Sequence, residues 1–216
     1  MPATQKDNSA PEGFHALFNG RNLKGWKGFA APFSKWAELS AQEKISKQKE
    51  ADKKMKEHWR ANNGILEYDG KGQNLVSEKN YGDFELLADW KILPKGDSGI
   101  HLRGCPQSQS WDPADKGGAR DHSVGSGGLH NNQNNLNNPT KRADNPIGEW
   151  NQFRILMTGD KVTIYLNDEL VVHNVTMENS LERGKAMYPF GPIELQNHKN
   201  PLYFKNIYVR EFGATR

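Results

Sequence analysis

Three short stretches carry the side chains whose type and spacing could do chemistry. Residues 191–211, GPIELQNHKNPLYFKNIYVRE, form two alternating runs joined by an Asn/Pro turn. Side chains on a strand alternate faces, so Glu194, Gln196 and His198 share one face while Ile193, Leu195 and Asn197 share the other. A carboxylate, an amide and an imidazole in a row can hold a sugar, move a proton or ligate a metal. An ordinary polar sheet face has the same pattern. In GDSGIHLRG, residues 96–104, Ile100 and Leu102 read as core-facing, which puts His101 and Arg103 on the opposite face with Gly99. A guanidinium offers a planar fork of donors to a ketone oxygen or a hydroxyl, or it simply pairs with a carboxylate. Gln107, Gln109 and Trp111 alternate in the same way. The indole of Trp111 suits stacking on a pyranose, although for this residue alone core packing is the safer reading.

A divalent metal is left open by these residues. Glu194 and His198, four apart on one strand, are separated by roughly 13 Å of strand rise and cannot share an ion while the strand is regular. A metal site would need His101, Asp97 or Asp112 from another strand. His15, His58, His122, His130 and His173 show no ligand spacing. Cys105 is the single cysteine, so no intramolecular disulfide forms, and no basic neighbour marks it as activated.

These residues need a scaffold, and the pattern predicts an all-β one. The 216 residues suit one domain with an insertion. The 21 Gly and 11 Pro are spread along the chain, as in a turn-rich β protein, and mean hydropathy is −0.88. Phe14, Leu17 and Phe18 read as an opening strand with Trp26 packed near it. In DFELLADWKI, residues 83–92, Phe84, Leu86, Ala88, Trp90 and Ile92 share one face. Phe153, Ile155 and Met157 alternate, as do Val162, Ile164 and Leu166, and Asn167-Asp168 suits a two-residue hairpin turn. Roughly ten strands predict an antiparallel sandwich or jelly roll.

Two segments break the β rhythm. Ser40 and Glu43 form a capping box ahead of a Lys/Glu/Ala-rich run, which predicts a surface helix over about residues 41–57. Residues 112–148 hold GSGG and NNQNNLNN and are expected to rim the site as a long loop. Residues 1–12 read as a polar lead to a domain over 13–216. Net charge is only +3 without a basic, aromatic-interleaved stripe, so nucleic acid is not an expected partner. No apolar run approaches the roughly 18 residues of a membrane span.

Taken together, the motifs resemble the 3-keto-disaccharide hydrolase domain family. The resemblance rests on GFHALFNGRNLKGWKG at 13–28, YGDFELLADWKI at 81–92, GDSGIHLRG at 96–104, SQSWDP at 108–113, GEWNQFRI at 148–155, VTIYLNDELVV at 162–172 and PIELQNHKNPLYFKNIYVRE at 192–211. It implies a concanavalin A-like jelly-roll sandwich of two antiparallel sheets with a sugar-binding face. It also implies a carbohydrate substrate, cleavage of glycosides oxidised at C3, and export to the periplasm or the cell exterior. The chain departs from the family at Gln107, where many relatives carry an acid, at Lys199 for Gly, and at His101 for Phe or Tyr. If that acid matters in relatives, Glu194 or Asp112 must take its part here.

A ketone at C3 acidifies the C2 hydrogen, so a base can form an enolate and the group at C1 can leave by β-elimination. The expected catalytic residues are Glu194 or His198 as base, with Arg103 on the enolate. His101, Gln107, Gln109, Trp111 and Gln196 are expected to bind the sugar. Two rival readings remain: a non-catalytic, lectin-like binding module, and an ordinary glycoside hydrolase, which needs a facing carboxylate pair.

Overall fold

The computed structural model describes residues 7–116 and 121–213. The chain begins with β1 (His15–Ala16) and β2 (Trp26–Gly28), then two helices, α1 (Phe33–Trp36) and α2 (Ala41–His58). Six strands follow: β3 (Trp59–Asn62), β4 (Ile65–Tyr68), β5 (Leu75–Tyr81), β6 (Phe84–Ile92), β7 (Asp97–His101) and β8 (Gln107–Trp111). After a long connection come β9 (Asn151–Thr158), β10 (Lys161–Leu166), β11 (Glu169–Thr176), β12 (Gly191–Leu195) and β13 (Leu202–Glu211). The strands form two antiparallel sheets, an all-β jelly-roll sandwich. The larger runs β11-β10-β9-β6-β13-β4-β3, with β1 also on β13, and the smaller runs β2-β5-β12-β7-β8.

The alternation that predicts strands also builds the core. Phe84, Leu86, Ala88, Trp90 and Ile92 of β6 are all buried, as are Phe153, Ile155 and Met157 of β9 and Val162, Ile164 and Leu166 of β10. Ile100, Ile193, Leu195 and Leu75 meet them from the smaller sheet in the same apolar cluster. Each such side chain contributes roughly 1.5–3 kcal/mol on burial. Asn167 and Asp168 have φ of 52° and 65°, the left-handed pair that a type I′ turn needs between β10 and β11. The opening strand is shorter than expected, only His15–Ala16, but Phe18 is fully buried and Trp26 donates from Nε1 to Leu17 O at 2.7 Å.

The capping box forms as the sequence predicts. Ser40 N donates to Glu43 Oε2 at 2.9 Å and Glu43 N to Ser40 Oγ at 3.3 Å. Helix α2 is less of a free surface element than its charge implies, because Ala51 and Met55 are buried against β2. A Cβ on Gly28 would lie 2.1 Å from Ala51 O, so only glycine lets strand and helix approach this closely.

The connection after β8 departs from the expectation of a site-rimming loop along its length. Gly127 N donates to Gln109 O at 2.7 Å and Gln109 N to Gly128 O at 2.9 Å, so this part runs beside β8. Further on, Thr140 N donates to Val171 O at 2.8 Å, tying the connection to the other sheet. Most of the described connection therefore closes the sandwich edge, and its stretch 117–120 lies outside the described residues.

Candidate functional site

The smaller sheet places the polar rows. Glu194 pairs with Val76 on one side and His101 on the other, and His101 pairs with Gln107. One row across four strands thus reads Val76, Glu194, His101, Gln107 on the face turned away from the core. The next row holds Gly99 opposite Gln109, with Gln196 N donating to Gly99 O at 2.9 Å. Beyond it stands Asp97. β12 is the central strand, and its Pro192 cannot donate to the ladder. The register of β5 against β12 shifts between Pro192 and Glu194, and Ser77 Oγ accepts from Ile193 N at 3.0 Å. Such a bulge is where a central strand tolerates proline, and it aims the next side chain, Glu194.

Glu194 is 6 % exposed. Asn74 donates from Nδ2 to its Oε1, and Asn74 Oδ1 accepts from Asn197 N at 2.8 Å. His101 Nδ1 lies 3.3 Å from the same Oε1 without the alignment of a hydrogen bond, and it is a buried nitrogen with no hydrogen-bond partner. A buried carboxylate beside a poorly satisfied imidazole is a pair built to meet a further polar group.

The amides form a connected strip. Gln107 donates from Nε2 to Gln109 Oε1 at 2.6 Å and to Gln196 Oε1 at 2.7 Å. A Cβ at Gly99 would sit 2.3 Å from Gln107 Nε2, so the glycine lets the amide lie over the backbone. Gln109 donates onward to Asp97 Oδ1, and Asp97 Oδ2 lies 3.5 Å from His198 Nδ1. Burial pushes the Asp97 carboxyl above its ordinary range, while His198, His122 and the Gln109 bond pull the other way. His198 itself is 58 % exposed, in the turn after β12.

Trp111 shares this face but is covered. His122 stacks on it at 4.4 Å and 15°, and its Nε1 donates to Gly125 O at 2.8 Å. The packing reading of Trp111 thus fits better than an open sugar platform. His122 Nδ1 is buried at that end of the site with no hydrogen-bond partner among the described residues. Asn74 and His122 join the site although sequence spacing did not single them out, and Asp97, named from sequence only as a conceivable metal ligand, stands beside Gln109 and His198.

Arg103 requires a correction. It does not face Glu194. The strand ends at His101, and Arg103 has φ of 54°, which reverses the alternation. Its side chain is 2 % exposed, paired with Asp83 at 2.5 Å, and donates to Gly82 O at 2.8 Å and Gly159 O at 2.7 Å. The guanidinium is spent on the fold. Asp112 is similarly occupied: Lys95 N and Ala114 N each donate to its carboxylate at 2.8 Å. Among the described residues no three of His, Cys, Asp and Glu come together as a metal-ligand cluster.

Comparison with known proteins decides the family. Residues 13–210 match the family described as the 3-keto-alpha-glucoside-1,2-lyase-like domain. The chain belongs to that family. It is 22% identical to the 3-keto-disaccharide hydrolase of Bacteroides thetaiotaomicron, over 92% of this chain and 78% of that protein. A crystal structure of a candidate glycosyl hydrolase from Parabacteroides distasonis superposes with a TM-score of 0.70 at 23% identity, covering 96% of this chain and 100% of that one. A second Parabacteroides distasonis structure, also named as a candidate glycosyl hydrolase, gives 0.70 at 21% identity, covering 94% and 86%. These likenesses show the fold.

In this member of the 3-keto-alpha-glucoside-1,2-lyase-like family, two cavities meet at Glu194. One, about 190 Å³, is lined by Glu194, His101, Asn74, Cys105 and Ser180 among others. Cys105 is buried and accepts from Ser180 N at 3.0 Å, as a packed thiol does. The other, about 100 Å³, opens over β5 and β2 and includes Val76, Pro192 and Phe33.

Proposed function

We propose that this chain is a carbohydrate-active enzyme that cleaves 3-keto-glycosides, with Glu194 as the base at C2. The observation that carries the reading is the Glu194–His101 pair: a buried carboxylate and an imidazole nitrogen at 3.3 Å, central on the open face and bordered by two cavities. Family membership supports the substrate class.

The residues divide the work by position. Glu194 takes the proton from C2, and the electron pair moves into the C3 carbonyl to give an enolate. His101, next to it, donates a hydrogen bond to the C3 oxygen as charge develops there. Collapse of the enolate expels the group at C1, whose oxygen takes up the proton that C2 lost. Water adding to the resulting enone completes a net hydrolysis. The amide strip of Gln107, Gln109 and Gln196 offers donors and acceptors for hydroxyls. Asp97 lies four residues along β7 from His101, roughly 13 Å by strand rise, and His198 stands beside it in the turn after β12, so the two suit the far hydroxyls rather than the reacting bond.

A second reading has one observation in its favour. Glu78 lines the same small cavity as Glu194, so an ordinary hydrolase with two carboxylates has its residues at hand. One experiment separates the two. The protein is incubated in D2O with a glucoside and its 3-keto counterpart, and products are read by mass spectrometry. The elimination reading expects cleavage of the 3-keto compound alone, with deuterium at C2 of the released sugar. Cleavage of the unoxidised glucoside, abolished by Glu78→Gln, would establish the second reading instead.

A further inference from the structure

We infer that the 100 Å³ cavity beside Glu194 receives the leaving group of the substrate and selects one that carries an aromatic ring. This rests on the reading of Glu194 as the base acting next to the scissile bond. Glu194 stands between two unlike halves of the open face. On one side lie the amides, Asp97 and His198, which suit hydroxyls. On the other side the wall is the segment from Gly28 to Trp36, which lies outside both sheets except at Gly28. A sugar held on the amide half with C2 at Glu194 sends its C1 substituent into this second half.

The wall is apolar and fixed. Phe29, Phe33 and Trp36 present half-buried rings to the cavity, and Val76 and Pro192 supply apolar floor. Phe33 is held edge-on against Tyr188, with centroids 4.9 Å apart, and packs over Gly104, where a Cβ would lie 2.9 Å from Phe33 Cβ. Phe29 N donates to Asn74 O at 3.1 Å, and Gln48 Nε2 donates to Gly28 O at 3.0 Å, tying the wall to β5 and α2. Rings kept half-exposed on a braced wall are available for stacking or edge contacts.

Size and polarity narrow the occupant. An apolar cavity of about 150 Å³ takes one benzene ring, so 100 Å³ that opens past the exposed Glu78 and Asn80 takes a single ring with one edge in solvent. Lys27, Gln48, Glu78, Asn80 and Glu194 bring polar groups to other parts of the lining, but the Phe29–Phe33 stretch has no hydrogen-bonding side chain, so hydroxyls turned toward it would go unpaired, which is costly. Lys27 Nζ lies 5.8 Å from the Trp36 centroid, and its positive charge disfavours a cationic leaving group.

The test compares benzyl and methyl 3-keto-glucosides, both anomers of each, and a 3-keto-disaccharide. The two alcohols are similar leaving groups, so the chemistry changes little between them. The benzyl compound should be favoured in kcat/KM by about tenfold or more, the discrimination an apolar pocket gives. Trp36→Ala should bring that ratio close to one. Phe33→Leu, which keeps bulk against Gly104, should lower it in the same direction if the alanine variant folds poorly. A ratio near one in the wild type, or one unmoved by both substitutions, overturns the inference. So does a Trp36→Ala loss on the disaccharide as large as on the benzyl compound, which would mark a second-sugar subsite. If no 3-keto-glycoside is cleaved, the proposed activity fails, and calorimetric binding of unoxidised benzyl and methyl glucosides judges the cavity alone. Preference for benzyl that Trp36→Ala removes upholds it; equal or absent binding overturns it.

Discussion

Replacing Glu194 with glutamine separates chemistry from architecture. The substitution keeps the shape of the side chain. Its amide oxygen can take the place of Oε1, where it still accepts from Asn74 Nδ2 and keeps its contact with His101 Nδ1. Structurally, the change exchanges a charge-assisted hydrogen bond for a neutral one, a difference of about 1 kcal/mol. For a chain of this size that moves Tm by about 2–4 °C. Catalytically, the change removes the base. Loss of a general base costs about 100- to 10,000-fold, or roughly 3–5 kcal/mol of transition-state stabilisation.

The two magnitudes differ enough to be read apart. Tm is followed by thermal circular dichroism, and kcat/KM by mass spectrometry on a 3-keto-glucoside. Exchange of the C2 hydrogen into D2O is measured in parallel, because it reports proton removal even where the leaving group departs slowly. The expected result is a small Tm change with loss of both turnover and exchange. Glu194→Gln protein within about tenfold of wild-type kcat/KM would refute the assignment, since a general base typically contributes about 100-fold or more.

Arg103→Ala should lower stability by about 1–3 kcal/mol, the usual cost of leaving buried acceptors such as Gly82 O and Gly159 O without their donor, while the folded fraction keeps its turnover per molecule; urea titration with active-site normalisation checks it. Asp97→Asn should preserve or raise Tm at pH 7. Burial lifts the folded pKa of Asp97, so its favourable contribution is complete below the unfolded value near 4 and is lost as pH rises through the folded value; the gain from the substitution should vanish below about pH 4 in a Tm series. Glu178 behaves oppositely. Desolvation pushes its pKa up, but donors from Asn134, Asn135 and Gln133 outweigh it and hold the carboxyl at about 2. That stabilisation is present above the unfolded value near 4.3 and is lost as pH falls toward 2, so hydrogen exchange in residues 131–138 should rise over that window, and Glu178→Gln should show fast exchange at every pH.

A period of two carries the face from one residue to the next along a strand and, at Gln196, one residue past it. Glu194 and Gln196, His101, and Gln107 with Gln109 all obey it. Arg103 fails because parity does not pass through a left-handed residue: the chain leaves β7 at His101 and turns at Arg103 and Gly104, with φ of 54° and 70°. The Gly104 and Pro106 that follow were the available warning. Asn74 carries no local signal, since it meets Glu194 across 120 residues of sequence. His122 was passed over for lack of ligand spacing, and only its stacking on Trp111 brings it to the site. The GSGG run reads in sequence as part of a long site-rimming loop. In the fold, a Cβ at Gly127 would lie 2.8 Å from Val171 Cγ2, so this glycine serves close packing.

The position of the pair within the sheet bears on what it can do. Glu194 lies on the central strand, with β5 bonded on one side and β7 on the other, and its neighbours Ile193 and Leu195 are fully buried beneath it. A side chain so placed cannot shift without disturbing two ladders and the core, so its orientation is set before any substrate arrives. Electrostatic stabilisation of an enolate depends on that, because groups already aimed need no reorganisation as charge develops. His198 has the opposite setting, exposed in a turn with Asp97 Oδ2 3.5 Å from its Nδ1. A residue free to move can follow different hydroxyl patterns but is poorly placed to define a reacting geometry. The contrast in rigidity, more than residue type, is the reason to put the proton transfer at Glu194 and the recognition at His198.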